Sequence, residues 1–138
     1  MIEKYIEAYK EYYETVKEEL TNEKKVSHWM WFIFPQLKGL GKSSLSNLYG
    51  LNDLQEARAF LTCAYLNNKI NSLLKIILKY KNVSLIDVFG ELDALKFHSC
   101  ITLFYLATNK KIFKKILEKY FSGVLDNNTI LLLNENNV

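Results

Sequence analysis

Arginine is almost missing from this chain. Of its 18 basic residues only Arg58 is an arginine, and the formal net charge is just +3. Arginine reads guanine edges and clamps phosphates bidentately, so its scarcity argues against a dedicated, sequence-specific nucleic-acid binder. Cysteine is scarce too: Cys63 and Cys100 lie far apart in apolar surroundings, with no C-x-x-C. That excludes a disulfide scaffold and predicts two reduced thiols. Two histidines and two separated cysteines give no zinc pattern, and the sequence predicts neither metal nor cofactor. Proline occurs once and glycine five times, too few for a collagen-like or low-complexity chain. Long apolar runs are lacking: the longest, Trp29 to Pro35, falls far short of a membrane span. Met1 to Tyr5 is amphipathic rather than a signal-peptide run, so the expected compartment is the cytoplasm.

What the chain does have is apolar and aromatic substance. Of its 138 residues 49% are hydrophobic and 14% aromatic, enough for one core in one domain. Ile2, Tyr5, Ile6, Tyr9, Tyr13, Val16 and Leu20 follow the i, i+3, i+4 rule of an amphipathic helix ending near Thr21-Asn22. Asn52-Asp53 offers an N-cap for a helix carrying Leu54, Ala57, Phe60 and Leu61, and the period resumes at Ile70 and runs to Tyr80. Ser84 caps a short turn that Gly90 stops, and long helical patterns follow over 91–107 and 112–120. Asp126 caps a last turn through Leu133. No period-2 strand or Asn-Gly hairpin signal appears. The reading is an all-α, compact single-domain bundle of about six to seven helices over residues 1–133, with 134–138 a flexible tail. Met30 to Phe34, rich in aromatic and β-branched residues, fits a helix or a buried extended segment.

Two segments carry chemistry. The first runs Ser27-His28-Trp29-Met30-Trp31-Phe32-Ile33-Phe34-Pro35-Gln36, then Gly39-Leu40-Gly41-Lys42-Ser43-Ser44. Gly41-Lys42-Ser43 invites a phosphate-loop reading, but that pattern needs glycine where Gln36 stands, and no βαβ context surrounds it. A weaker expectation survives: Gly39 and Gly41 turn the backbone, Ser43 or Ser44 caps the helix that leads to Tyr49, and Lys42 supplies a point charge for an anion. An ordinary loop-to-helix junction explains the same residues. Trp29 and Trp31, two apart, diverge by roughly 200° on a helix, so one belongs to the core and the other to the surface or a pocket wall. His28 is the best candidate for acid–base chemistry, against the plainer reading of a hydrogen-bonded structural histidine.

The second segment holds Asp93, Lys96, His98, Ser99 and Cys100. Asp93 and Lys96 at i, i+3 suit a surface ion pair. Turned toward the His28 loop instead, Lys96 becomes a second anion ligand that Asp93 orients. On this helix Leu92, Leu95, Ser99 and Thr102 line one core-facing stripe. A nucleophile pair of His98 with Cys100 fails because i and i+2 point apart.

Together these segments resemble the domain-of-unknown-function family numbered 1810. The resemblance rests on Lys25, the string Ser27 to Gln36, Gly39 to Ser44, Tyr49-Gly50, Glu56-Ala57 and Phe89-Gly90. It continues through Asp93, Lys96, Ser99, Thr102-Leu103-Phe104, Gly123, Asp126 and Thr129. It implies a small all-helical single domain and supplies no activity. Some members carry an inherited "calpastatin" label, which a compact helical chain does not support. Where the family usually has a His-Pro pair after Phe60-Leu61, this chain has Cys63-Ala64, which implies a softer break there and the loss of any ligand role for that histidine.

Three functions were weighed. The first is binding, with room for catalysis, of a small anionic ligand, phosphorylated or nucleotide-like, by His28, Trp31, Gln36, Gly39, Gly41, Lys42, Ser43, Asp93 and Lys96. The second is a protein–protein interaction module with an aromatic docking surface. The third is a purely structural role for the whole string. The first leads. Neither specific nucleic acid nor membrane is an expected partner, and a monomer or weak dimer fits the composition.

Overall fold

The computed structural model describes residues 1–136. Nine helices follow one another among them: α1 (Glu3–Thr21), α2 (Met30–Ile33), α3 (Ser44–Tyr49), α4 (Leu54–Thr62), α5 (Ala64–Leu78), α6 (Leu85–Phe89), α7 (Glu91–Thr108), α8 (Lys111–Phe121) and α9 (Asn127–Asn136). The count exceeds the expected six to seven because α2, α3 and α6 have four to six residues each. That is too short to show a full hydrophobic period. Helix α9 continues through Asn134–Asn136, residues expected in a tail; the rest of that tail lies outside the described residues.

Helix α7 is the axis of the bundle. It is apolar nearly all round, burying Phe97, Cys100, Ile101, Leu103 and Phe104, and it touches α2, α4, α6, α8 and α9. Helix α1 packs its tyrosine stripe against α5 and α2. The caps are local. Asp53 accepts from the Glu56 N–H and Ser84 from the Asp87 N–H, as N-cap side chains do. Gly90 takes φ +83°, a left-handed conformation open to glycine, and lets α7 start where α6 ends. Cys63 alone separates α4 from α5, with φ −67° and ψ 115°. The break is therefore as sharp as one extended residue, not softened by the loss of proline.

Helix C-termini expose carbonyls, and side chains from elsewhere in the chain meet them. The Tyr5 hydroxyl donates to Tyr49 O and the Tyr9 hydroxyl to Ile33 O, each at 2.6 Å. The Tyr80 hydroxyl donates to Leu20 O at 2.5 Å, and Tyr120 to Ile77 O. Lys4 donates to Leu48 O, Lys119 to Leu78 O, and Arg58 Nε to Ala107 O. Every one of these acceptors lies in the last turn of its helix. Tyrosine suits the task because its ring packs while its hydroxyl reaches a polar partner.

Candidate functional site

The loop from α1 to α2 is built around one carboxylate. Glu19, in the last turn of α1, accepts hydrogen bonds from Val26 N (2.8 Å), Ser27 N (3.0 Å), Ser27 Oγ (2.6 Å) and the Trp29 indole Nε1 (2.9 Å). Partial burial pushes this carboxyl upward. The donors, led by Ser27 Oγ, outweigh that and hold it at about 2. Trp29 is thereby fully buried with its one polar atom satisfied.

A second chain of charges runs from the loop to α7. Lys25 is nearly buried, its side chain 5% exposed; its ammonium donates to Ser27 O at 2.6 Å, meets Asp93 Oδ2 at 2.9 Å and lies 5.0 Å above the Trp29 ring. The other Asp93 oxygen faces Lys96 at 3.8 Å, and the Lys96 ammonium sits 5.5 Å above the Trp31 ring. Asp93 thus stands between a buried lysine and a half-exposed one.

Trp31 is the counterpart of Trp29 and is held differently. It is half-buried, and its Nε1, buried at the atom, has no hydrogen-bond partner among the described residues. It lines two openings. One is a cleft of about 10 Å³ that it shares with Gln36, Ser46 and Lys96. That volume holds one water-sized group. The other is an open groove of about 580 Å³, shared with His28 and residues of α1 and α3. His28 is exposed, and among the described residues no carboxylate or carbonyl hydrogen-bonds its ring to fix a tautomer.

The glycine loop does other work than expected. A Cβ on Gly41 would stand 2.4 Å from Ser46 Oγ and 3.2 Å from Gln36 Nε2, so glycine there permits close approach of the loop to the cleft wall. The loop is closed by Lys38 N donating to Leu51 O and Leu51 N to Gln36 O. Ser43 is spent as the N-cap of α3, accepting from Ser46 N. Lys42 is exposed and outside the lining of both openings, and Gly39 faces Leu132 of α9. Of the expected set, Trp31, Gln36 and Lys96 line one cleft, with Gly41 packed close to Gln36 and Ser46 and Asp93 beside Lys96, while His28 lines the groove that shares the indole. Gly39, Lys42 and Ser43 do not join them.

The polar residues of α7 and of the start of α9 are accounted for by packing and capping. Asp126 Oδ2 accepts from Ser99 Oγ, Thr129 N and Thr129 Oγ1, while Asp126 N donates to Thr102 Oγ1, which starts α9. Leu92 and Leu95, expected in a core-facing stripe with Ser99 and Thr102, are instead 75% and 61% exposed. The buried face of α7 passes through Ala94 and Phe97, and the two polar residues reach the core through Asp126. His98 stacks on Phe121 at 3.9 Å, and Nε2 donates to Val124 O. Cys100 is buried, its thiol pushed up by desolvation, and no nucleophile pair forms. Among the described residues no group of metal-ligating side chains forms, and no helix is long and apolar enough to cross a membrane.

The family model described as a protein of unknown function, DUF1810, matches residues 1–133. The chain belongs to the DUF1810 family. A crystal structure of the conserved hypothetical protein Rv1873 from Mycobacterium tuberculosis superposes on this DUF1810 fold with a TM-score of 0.93, at 37% identity over 96% of each chain. No curated protein matches the sequence.

Sequence reasoning missed Glu19, Lys25 as a buried base of the site, and Ser46. Glu19 sits among other glutamates on the polar side of α1, and nothing in helical spacing marks it as the one that turns inward. Ser46 carried one usable signal: it lies three residues after Ser43, the spacing of an N-cap to its first bonded amide.

Proposed function

We propose that this protein binds a small molecule through an oxyanion, phosphate or carboxylate, placed beside Trp31 and Lys96. The observation that carries the reading is the Trp31 Nε1, a buried donor without a partner in a chain whose other indole is fully bonded. Such a group costs about 1–3 kcal/mol until an acceptor reaches it. The Lys96 ammonium lies over the same ring, and Gln36 and Ser46 bring further donors to the cleft. The one carboxylate beside Lys96, Asp93, is held more closely by Lys25, and donors with a cation favour an anion. The cleft admits one oxygen-sized group, so the body of a phosphorylated or nucleotide-like ligand lies outside it, against the indole.

The alternative, a partner-docking surface made by the aromatic string, has less support. Trp29 and Phe34 are buried and Phe32 is only 7% exposed, which leaves Trp31 as the most exposed Trp or Phe ring of that string. His28 has no group to orient it, so the proposal is one of binding.

A thermal-shift titration with inorganic phosphate, then with sugar phosphates and nucleotides, tests this. Ligand at 100 times its dissociation constant stabilises by about 2.7 kcal/mol, a rise of several degrees. Trp31→Phe and Lys96→Ala each abolish the shift, and Lys42→Ala leaves it. A full shift in Trp31→Phe overturns the reading.

A further inference from the structure

The groove that shares Trp31 with the cleft has the opposite chemistry. Its floor is aromatic: Tyr12, Phe32 and Tyr49 line it with the indole. The Tyr12 and Phe32 rings lie 4.9 Å apart and Phe32 and Tyr49 5.2 Å apart, the latter edge to face. Along its α1 side stand Glu7 and Glu11, exposed and one helical turn apart. Like charges at i, i+4 repel, and neither carboxylate has an ion-pair partner among the described residues. Lys4, on the same wall, forms no ion pair with either among the described residues; its ammonium donates to Leu48 O at the end of α3, so two carboxylates face one cation there.

Aromatic faces carry negative quadrupole charge, and a ring-lined hollow beside carboxylates is the chemistry that recognises an ammonium group. A nucleobase would find the rings, and its amino groups could donate to a carboxylate, but a neutral donor leaves the repulsion between two carboxylates uncompensated where a cation relieves it. We infer that the groove takes a substituted ammonium, and that the ligand is a zwitterion: an oxyanion in the cleft beside Lys96 and a cation over Phe32 and Tyr12, with Trp31 the wall between them. This deepens the oxyanion reading and rests on it for the ligand's other end. Charge sets the pairing: the cleft presents Lys96 and donors, the groove Glu7 and Glu11.

The test compares four probes on the full chain by calorimetry: inorganic phosphate, choline, phosphocholine and adenosine monophosphate. The expected result is phosphocholine binding at least tenfold more tightly than phosphate, and more tightly than the nucleotide. In the Glu7→Gln/Glu11→Gln variant, whose changes lie on the exposed face of α1, that advantage over phosphate falls to within about twofold. Tyr12→Leu reduces it in part. The inference is overturned if phosphocholine gains nothing over phosphate, if the nucleotide binds more tightly, or if the advantage survives the double substitution. Phosphate binding with no choline contribution sinks the cation groove and leaves the oxyanion reading standing. Choline binding that needs Glu7 and Glu11, with no phosphate binding, does the reverse. Binding of none of the probes removes both.

Discussion

Trp29 and Trp31 stand two residues apart in one string and lead opposite lives. Trp29 is 0% exposed, and its Nε1 donates to Glu19. Trp31 is half-buried, with an Nε1 that donates to nothing. Each has a lysine above its ring, Lys25 at 5.0 Å and Lys96 at 5.5 Å, and both lysines face the same Asp93. The two halves of the pair are built alike up to the last hydrogen bond. The lesson is that a dense aromatic signature divides into residues that hold the loop and one that is left available.

Breaking the structural half costs most. Trp29→Ala removes a fully buried indole and lowers unfolding free energy by about 3–5 kcal/mol in denaturant titration. Glu19→Ala follows, at about 2–3 kcal/mol, since it strands the Trp29 and Ser27 donors. The Glu19 carboxyl is held at about 2, below the ordinary carboxylate value near 4.3, so its contribution is complete above that value and disappears as pH falls toward 2. Glu19→Gln flattens that part of an acid-unfolding curve. Gly41→Ala, which forces a Cβ against Ser46 Oγ, costs about 1–3 kcal/mol and closes the cleft. Trp31→Phe has the smallest effect on folding, under about 1 kcal/mol, because the lost donor was unpaired. A large destabilisation in that variant would erase the contrast between the two tryptophans.

The parts legible in the sequence were those governed by periodicity and by side chains acting on near neighbours. The apolar stripe of α1, the caps Asp53, Ser84 and Asp126, and the divergence of two tryptophans at i, i+2 all fall in that class. Asp93 beside Lys96 was readable for the same reason. Glu19 was not, because its partners are backbone amides and an indole seven to ten residues away across a turn. Lys42 misled for the complementary reason: Gly-Lys-Ser has the look of an anion loop, yet the geometry gives glycine a close-packing role and serine a cap. The exposure of Leu92 and Leu95 depends on where α6 and α8 meet α7, which no single helix encodes.

The tyrosines that close the helix ends also set a limit on the molecule in base. Burial raises the hydroxyls of Tyr5, Tyr9 and Tyr80 above their ordinary value near 10, and that of Tyr120 to about 12. Above pH 10 the unfolded chain releases these protons while the folded one keeps them, so alkali draws the equilibrium toward unfolding. Ionisation also removes the proton each hydroxyl donates to a carbonyl 24 to 60 residues away in sequence. The share of the phenolate absorbance that belongs to these four of the nine tyrosines should therefore rise in one cooperative step with the loss of helix, reporting the unlatching of four helix ends at once.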